Sequence, residues 1–369
     1  MNYDLKIFEP YVEKGLLRKV EHPTLPLVLF NYTDHCTYEK AWDEVTIMCR
    51  GLVLERGTGL VIAKCLPKFW NLNEHETTKM ANLPQLGYAI HEKKDGSLGI
   101  LFHYNNEWHV ATRGSFTSDQ AIRGKQILKR HEEAYRLDVV WDKEMTLLVE
   151  IIYPENKIVS NYGDAEELVA IAGFWRDSGD EISNRTINSL AGMVGIRTAD
   201  NHLDMSIEEA IALQKTLPKD REGFVVRFEN GLRVKIKGDE YMKIARILSN
   251  LSPLAFWGAM DGHRVPVEYL EQIPEEYRGE WEPIVNKLES SWLDTNDEIW
   301  KEFHGLYELQ NKRTKRDIGL FLKENPDKLE HGRIMFAAFD MWTSKDKAEK
   351  SQVIEEYIHK HIRPDGNKL

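Results

Sequence analysis

The chain has 369 residues, a formal net charge of −11, and a composition that is 42% hydrophobic and 30% charged. That balance fits a globular protein with room for two cores, and no apolar run is long enough to cross a bilayer. Three widely spaced cysteines, Cys36, Cys49 and Cys65, argue against a disulfide framework or a C-x-x-C zinc site. The acidic balance argues against a broad basic field for duplex nucleic acid, so contact with a strand must come from local cations.

The first residues, MNYDLKIFEPYVEKG, carry acids early and lack the basic-then-apolar order of a signal peptide, so a cytoplasmic location without a membrane is expected. Short β-like runs follow: 25–33, 51–55, 59–66, 88–93, 98–104, 108–112, 145–153, 167–175, 223–228 and 232–237, many separated by turn residues. SDQAIRGKQILKRHEEAYRL, at 118–137, opens with Ser–Asp and continues as an amphipathic helix. The sum is an α+β domain with largely antiparallel sheets over 1–248.

Beyond Leu248 the pattern becomes helical. Trp281, Ile284, Val285, Leu288 and Trp292 form one helical stripe. Ile299, Trp300, Phe303 and Leu306 suggest the next helix, and RIMFAAFDMW and SQVIEEYIHKHI suggest two more. A helical domain over 249–369, entered near Ser252–Pro253, is predicted. Its basic cluster, Lys312, Arg313, Lys315 and Arg316, is either a solvated face or a nucleic-acid contact.

Three segments could carry chemistry. HEKKDGSLGI contains K-x-D-G, with Lys93, Asp95 and Gly96. A lysine attacks phosphorus only when neutral, so nearby cations such as Lys94, a metal and partial desolvation are expected to lower its pKa. Taken alone, K-x-D-G is as readily a solvated turn. Glu150 interrupts the apolar strand MTLLVEIIY and points with Leu148 and Ile152, so it meets either an edge cation or a ligand. In REGFVVRFENGLRVKIKGDEY, Asn230–Gly231 reads as a type I′ turn. That register pairs Val226 with Lys235 and Phe224 with Lys237, and puts Glu222 on the face of both lysines. Such a face suits a metal and a polyphosphate, or it is a solvated set of cross-strand pairs. There is no Walker A loop, no G-x-G-x-x-G and no H-E-x-x-H.

In order, LFNY (29–32), CRGLVLE (49–55), KFWNLNE (68–74), KKDGS (93–97), TRGS (112–115), VEIIYPENKIV (149–159), REGFVVRF (221–228) and VKIKGDEY (234–241) resemble the covalent nucleotidyltransferases. The chain is most similar to the bacteriophage RNA ligase 1 family. The resemblance implies an ATP-dependent RNA ligase with a nucleotidyltransferase domain and a helical RNA-specificity module. Lys93 would take AMP from ATP; Arg50 and Lys68 would hold the ATP phosphates, and Tyr32 would line the pocket. Glu150 would contact the ribose or a metal's hydration shell, and Glu222 would serve the metal, Mg2+ or Mn2+, with Asp95 beside them. Lys235 and Lys237 would grip the α-phosphate, and Tyr241 would help the later steps. Val225 or Val226 would pack on adenine. Arg113 stands where the family has lysine, and its part is an RNA contact. The implied partner is RNA with 5′-phosphate and 3′-hydroxyl ends, such as a cleaved tRNA in phage-encoded repair, handled by a monomer. A capping-type guanylyltransferase or DNA ligase shares the lysine chemistry but usually adds an OB-fold, and a non-catalytic RNA-end binder would not need the nucleophile.

Overall fold

The computed structural model describes residues 1–202, 204–308, 314–326, 347–361 and 363–364. The chain divides into two compact units, Met1–Ala245 and Arg246–Leu369. In the first, thirteen strands form three sheets: β1 (Leu17–Glu21), β2 (Leu27–Tyr32), β3 (Arg50–Glu55), β4 (Val61–Ala63), β5 (Trp70–Asn71), β6 (Tyr88–Lys93), β7 (Ser97–Tyr104), β8 (Glu107–Thr112), β9 (Met145–Ile152), β10 (Glu167–Trp175), β11 (Arg197–Thr198), β12 (Gly223–Phe228) and β13 (Arg233–Lys237). The sheet orders are β1-β2-β3-β4, β11-β10-β9-β7-β8 and β5-β13-β12-β6. Pairing is antiparallel except where the short edge strands β11 and β5 join in parallel. The fold class is therefore mixed α+β with largely antiparallel sheets. The strands that sequence patterning missed, β1, β5 and β11, all lie at sheet edges. β5 and β11 are two residues each, too short to show a period, and β1 carries Arg18, Lys19 and Glu21 in place of an apolar run.

Alternation explains the layers. Leu29, Val53, Ile100, Phe102, Leu148 and Phe174 fill the space between the first two sheets. On the other face of β9, Leu147, Val149 and Ile151 pack with Ile127 and Leu128 of the helix Asp119–Tyr135. Ser118 caps that helix by accepting the Ala121 N–H, as its sequence predicts. In the third sheet Ile90, Phe224, Val226, Val234 and Ile236 meet Ile207 and Ala210 of the helix Ile207–Gln214. His91, Lys93, Val225, Arg227, Arg233, Lys235 and Lys237, the residues between them, turn to the opposite face.

The β12–β13 register departs from the predicted one by a residue. Val225 pairs with Lys235 and Gly223 with Lys237. The Gly231 N–H closes the turn on the Phe228 carbonyl at 2.9 Å, and Gly231 alone takes up the left-handed geometry with φ +85°. A longer loop with a left-handed glycine therefore replaces the two-residue turn. A turn with two left-handed central residues does occur, at Asn105–Asn106 between β7 and β8, with φ of 48° and 63°.

In the second unit the two stripes predicted as successive helices are one helix, Glu275–Glu308, with Pro283 inside it. Shorter helices span Pro253–Ala259, Val267–Glu271, Lys315–Glu324 and Lys347–His361. The Trp257 indole donates to the His359 carbonyl at 3.0 Å, tying the first of these to the last. RIMFAAFDMW, Lys312 and Arg313 lie outside the described residues, whereas Lys315 and Arg316 open a helix. Among the described residues no helix is long and apolar enough to cross a membrane.

Candidate active site

A cleft of about 690 Å³ opens where the cationic face of the third sheet meets the ends of β7 and β9. Lys93 ends β6, and its Nζ donates to Glu222 Oε2 at 2.7 Å. Lys237, on β13, reaches Glu222 Oε1 at 2.8 Å. Glu222 is 4% exposed, so these two ammonium groups are what offset the cost of burying its charge.

Glu222 reaches the lysine side through a break in alternation. In a regular strand it would share the face of Phe224. Gly223 instead takes φ +133°, which turns the chain before β12. A Cβ there would lie 2.1 Å from the Ile236 carbonyl oxygen, so only glycine fits. The grouping of Glu222, Lys235 and Lys237 that the sequence anticipated is thus present, through a different register and a glycine twist.

Lys93 is not poised as its sequence suggested. Burial, the largest influence, pulls its pKa down, but Glu222, Glu150 and Asp95 outweigh it and hold the ammonium above the ordinary lysine value. Lys94 points elsewhere, onto Glu92 at 2.6 Å and Asp200 at 3.1 Å. Lys235 shows the behaviour expected of Lys93. Its pKa is pushed down to about 7 by burial first, then by Arg50, Lys68, Lys93 and Lys237. Its Nζ sits 4.5 Å from the Phe69 ring centroid, an aromatic floor that accepts the cation without neutralising it.

Glu150 projects into the cleft from β9 on the side of Leu148, and its pKa is pushed up to about 7, chiefly by burial and against the pull of Lys93. Arg50, at the start of β3, lines the cleft and lies over Phe69, while its Nη1 is buried behind it with no hydrogen-bond partner. Val225 lines the cleft while Val226 is in the core, which selects Val225 of the two valines.

Three expected site residues are placed differently. The Asp95 carboxylate accepts from the N–H groups of Val159 and Ser160 at 2.9 and 2.8 Å, and from the Tyr241 hydroxyl at 2.8 Å. It works as a clasp between the Lys93 turn, the segment after β9 and the helix Asp239–Ser249, in place of the metal ligation expected for it. Tyr32 and Lys68 lie beside the cleft without lining it. Lys68 Nζ sits 5.6, 5.1 and 5.9 Å from the rings of Tyr32, Trp42 and Trp70, while Arg113, which does line the cleft, donates to the Tyr32 hydroxyl at 3.2 Å. Gly96 is required by the close approach of β9, where a Cβ would lie 2.7 Å from the Ile151 oxygen.

Sequence reasoning missed a polar wall of the cleft. His91 accepts from the Asn184 amide at 2.9 Å, Arg227 donates to Asn184 at 3.1 Å, and Arg227 and Arg233 share Glu181. Burial, then Arg233 and Arg227, push the His91 pKa down to about 4, so the ring is neutral near pH 7. The position of His91 two residues before Lys93 on one strand was the available signal.

Among the described residues no three His, Cys, Asp or Glu side chains converge as a ready-made metal cage. Glu150 fits a divalent ion that keeps most of its shell from phosphates and water, as magnesium does, and Glu222 fits beside it once Lys93 leaves its Oε2.

A family model described as RNA ligase matches residues 48–241. A putative bifunctional polynucleotide kinase/RNA ligase of Autographa californica nuclear polyhedrosis virus is 25% identical over 242 residues, covering 58% of this chain and 34% of that protein. A putative RNA ligase of Thermovibrio ammonificans is 27% identical over 198 residues, covering 52% of this chain and 51% of its own. The chain thus spans from a third to a half of the length of these curated relatives. Among solved structures, an archaeal ATP-dependent RNA ligase superposes with a TM-score of 0.47 at 14% identity, over 80% of this chain and 78% of that one. The Naegleria gruberi RNA ligase with PPi gives 0.35 at 15% identity, over 42% and 50%. Since the family match takes in more than half of the chain and ends on Tyr241, at the edge of the cleft just described, the chain belongs to this RNA ligase family, the bacteriophage RNA ligase 1 group that its motif series resembles.

Proposed function

We propose that the protein is an ATP-dependent RNA ligase in which Lys93 carries AMP from ATP to an RNA 5′-phosphate. The observation that supports this best is the cleft itself. One half-buried lysine shares a carboxylate with a second, a third lies close to neutrality, and Arg50 lines the same space.

In the first step the neutral Lys93 amine attacks the α-phosphorus of ATP. A P–N bond forms, the P–O bond to pyrophosphate breaks, pyrophosphate leaves with the electron pair, and the nitrogen sheds a proton to water. In the second, an oxygen of the RNA 5′-phosphate displaces Lys93 from that phosphorus, and the amine takes its proton back. In the third, an RNA 3′-hydroxyl attacks the 5′-phosphorus, a P–O bond forms, the P–O bond to AMP breaks with its electron pair on AMP, and the hydroxyl proton passes to water. Each is an in-line displacement, so positioning and charge neutralisation dominate.

The ion pair with Glu222 must break for Lys93 to lose its proton. Neutralising Glu222 and Glu150 leaves burial as the strongest influence on Lys93, which frees the amine. Lys235, Lys237 and Arg50 meet the negative charge of the phosphates, and Val225 offers an apolar surface for adenine. Magnesium or manganese, held by Glu150 and Glu222 with the nucleotide's own oxygens, would supply further neutralisation there. Tyr241 acts through Asp95, and Lys68 backs Tyr32 and Arg113 at the rim. Met1–Ala245 supplies this chemistry, and 246–369 selects the RNA. The substrate is RNA with 5′-phosphate and 3′-hydroxyl ends, a cleaved tRNA being one candidate, joined by a monomer in the cytoplasm.

The test is sealing of a 5′-labelled single-stranded oligoribonucleotide with ATP and magnesium. A circular or joined product supports the proposal. Transfer of GMP to a diphosphate end, or nucleotide binding with no joining, would contradict it. Equal sealing of cleaved tRNA and unstructured ends would sink the tRNA version alone.

A further inference from the structure

The loop that follows β8 has two sides. Arg113, Gly114, Ser115 and Ser118 border the catalytic cleft, while Phe116 turns into a second recess of about 270 Å³. His22, His109 and Phe116 supply three aromatic walls of that recess, and Ile122, 49% exposed, stands at its rim. The His22 ring meets Phe116 edge-on at 4.9 Å and His109 at 6.4 Å between centroids.

The two histidines present opposite polarity. His22 Nδ1 accepts from the Thr24 and Leu25 N–H groups at 3.2 and 3.1 Å, so its proton is on Nε2. His109 Nε2 contacts the Tyr104 carbonyl at 3.0 Å and must donate to it, which leaves Nδ1 as an acceptor. Burial holds both rings below the usual histidine pKa, so both are neutral near pH 7. The cation beside them, Lys125, is engaged with the Trp108 carbonyl. The recess therefore offers a ring donor, a ring acceptor, the Gln126 amide and aromatic surface, and its one ammonium, Lys125, is held back on the Trp108 carbonyl.

We propose that this recess is a subsite for one unpaired nucleobase of the RNA, belonging to a nucleotide near the end held in the catalytic cleft. The inference rests on the RNA ligase reading. Every nucleobase carries a donor and an acceptor side by side on one edge, and every base has a face to pack on an aromatic ring. The site accordingly tolerates any sequence while requiring that the base be unstacked. Its place on the reverse of the loop bordering the cleft makes it reachable by a neighbouring nucleotide of the same strand.

The experiment is equilibrium binding of a fluorescent, 5′-phosphorylated single-stranded oligoribonucleotide, read without any sealing, to the full chain and two variants. His22→Asn keeps a side-chain acceptor for Thr24 and Leu25 but removes the ring and its donor. Ile122→Glu places a negative charge at the rim on an exposed residue. Each should weaken binding about tenfold, while ATP-dependent labelling of Lys93 stays unchanged. A single abasic nucleotide walked along the oligonucleotide should weaken the wild type at one position and leave the variants unaffected there. Equal affinities for wild type and both variants, or an abasic penalty that persists in the variants, would overturn the proposal. Loss of sealing with the binding differences intact would strike the ligase reading and not the subsite.

Discussion

The carboxylate of Glu222 lies 2.7 Å from Lys93 Nζ, so the proposed nucleophile rests in a part-buried ion pair rather than as a free amine. The same carboxylate holds Lys237 at 2.8 Å. Charge in the cleft is arranged to store Lys93 as ammonium until its carboxylates are neutralised.

Chemical labelling separates the lysines. At pH 7.5 an amine-selective acylating reagent should modify Lys235, whose pKa is about 7, ahead of Lys93, whose pKa is raised. Glu222→Gln removes the strongest influence raising the Lys93 pKa, so the pH at which Lys93 reacts should move downward. Peptide mass spectrometry across a pH series checks both. Lys93 reacting first in the wild type would contradict the ion-pair account.

Glu150 predicts a pH-dependent stability change. Its folded-state pKa is raised to about 7 from 4.5. The folded protein thus holds the proton more tightly, and this contribution is complete below about pH 4.5 and lost as pH rises through 7. Glu150→Gln removes the penalty, so it should stabilise the protein by up to about 3 kcal/mol at pH 8. The gain should fall to about a quarter of that near pH 5 and vanish below about pH 4. Thermal unfolding at the two pH values measures it, and an equal effect at both would count against a buried, raised carboxylate.

Asp95 should matter to stability in the absence of nucleotide and metal. Tyr241→Phe removes one hydrogen bond to a buried carboxylate and should cost about 1.5–3 kcal/mol. Asp95→Ala also strands the Val159 and Ser160 N–H groups and should cost more. Denaturant unfolding of the free protein gives both values. A metal-ligand role alone would leave the free protein's stability near that of the wild type.

Gly223→Ala tests the twist that delivers Glu222. The new Cβ would meet the Ile236 oxygen at 2.1 Å, and φ +133° is strained for any other residue. A loss of about 3 kcal/mol or more is expected, together with loss of Lys93 adenylylation. An alanine variant of wild-type stability would mean that the strand start is not fixed as described.

Much of this site was legible in the sequence because alternating strands carry it. Period-2 patterning put Lys235 and Lys237 on one face and turned Glu150 away from Val149 and Ile151, the K-x-D-G motif singled out Lys93, and the order of motifs gave these residues a ligand-facing role and identified the family. What patterning could not supply was the register, which a one-residue difference in the turn at Gly231 resets, or the exception at Gly223. The clasp role of Asp95 depends on Val159, Ser160 and Tyr241, which lie 64 to 146 residues away in the chain. Likewise, Lys93 was expected to be surrounded by cations because Lys94 is adjacent, yet successive residues of a strand face opposite ways. The edge strands β5 and β11 escaped notice because two residues have no period, and β1 because charged residues replace its apolar run.

The most direct test is incubation with α-labelled ATP and magnesium, followed by a denaturing gel, beside Lys93→Ala. Before the assay the protein is treated with pyrophosphate to strip any bound AMP. The account predicts label that survives denaturation on the wild type and none on the variant. Label on both would move the nucleophile to another residue, and label on neither, with ATP or GTP, would contradict the covalent mechanism.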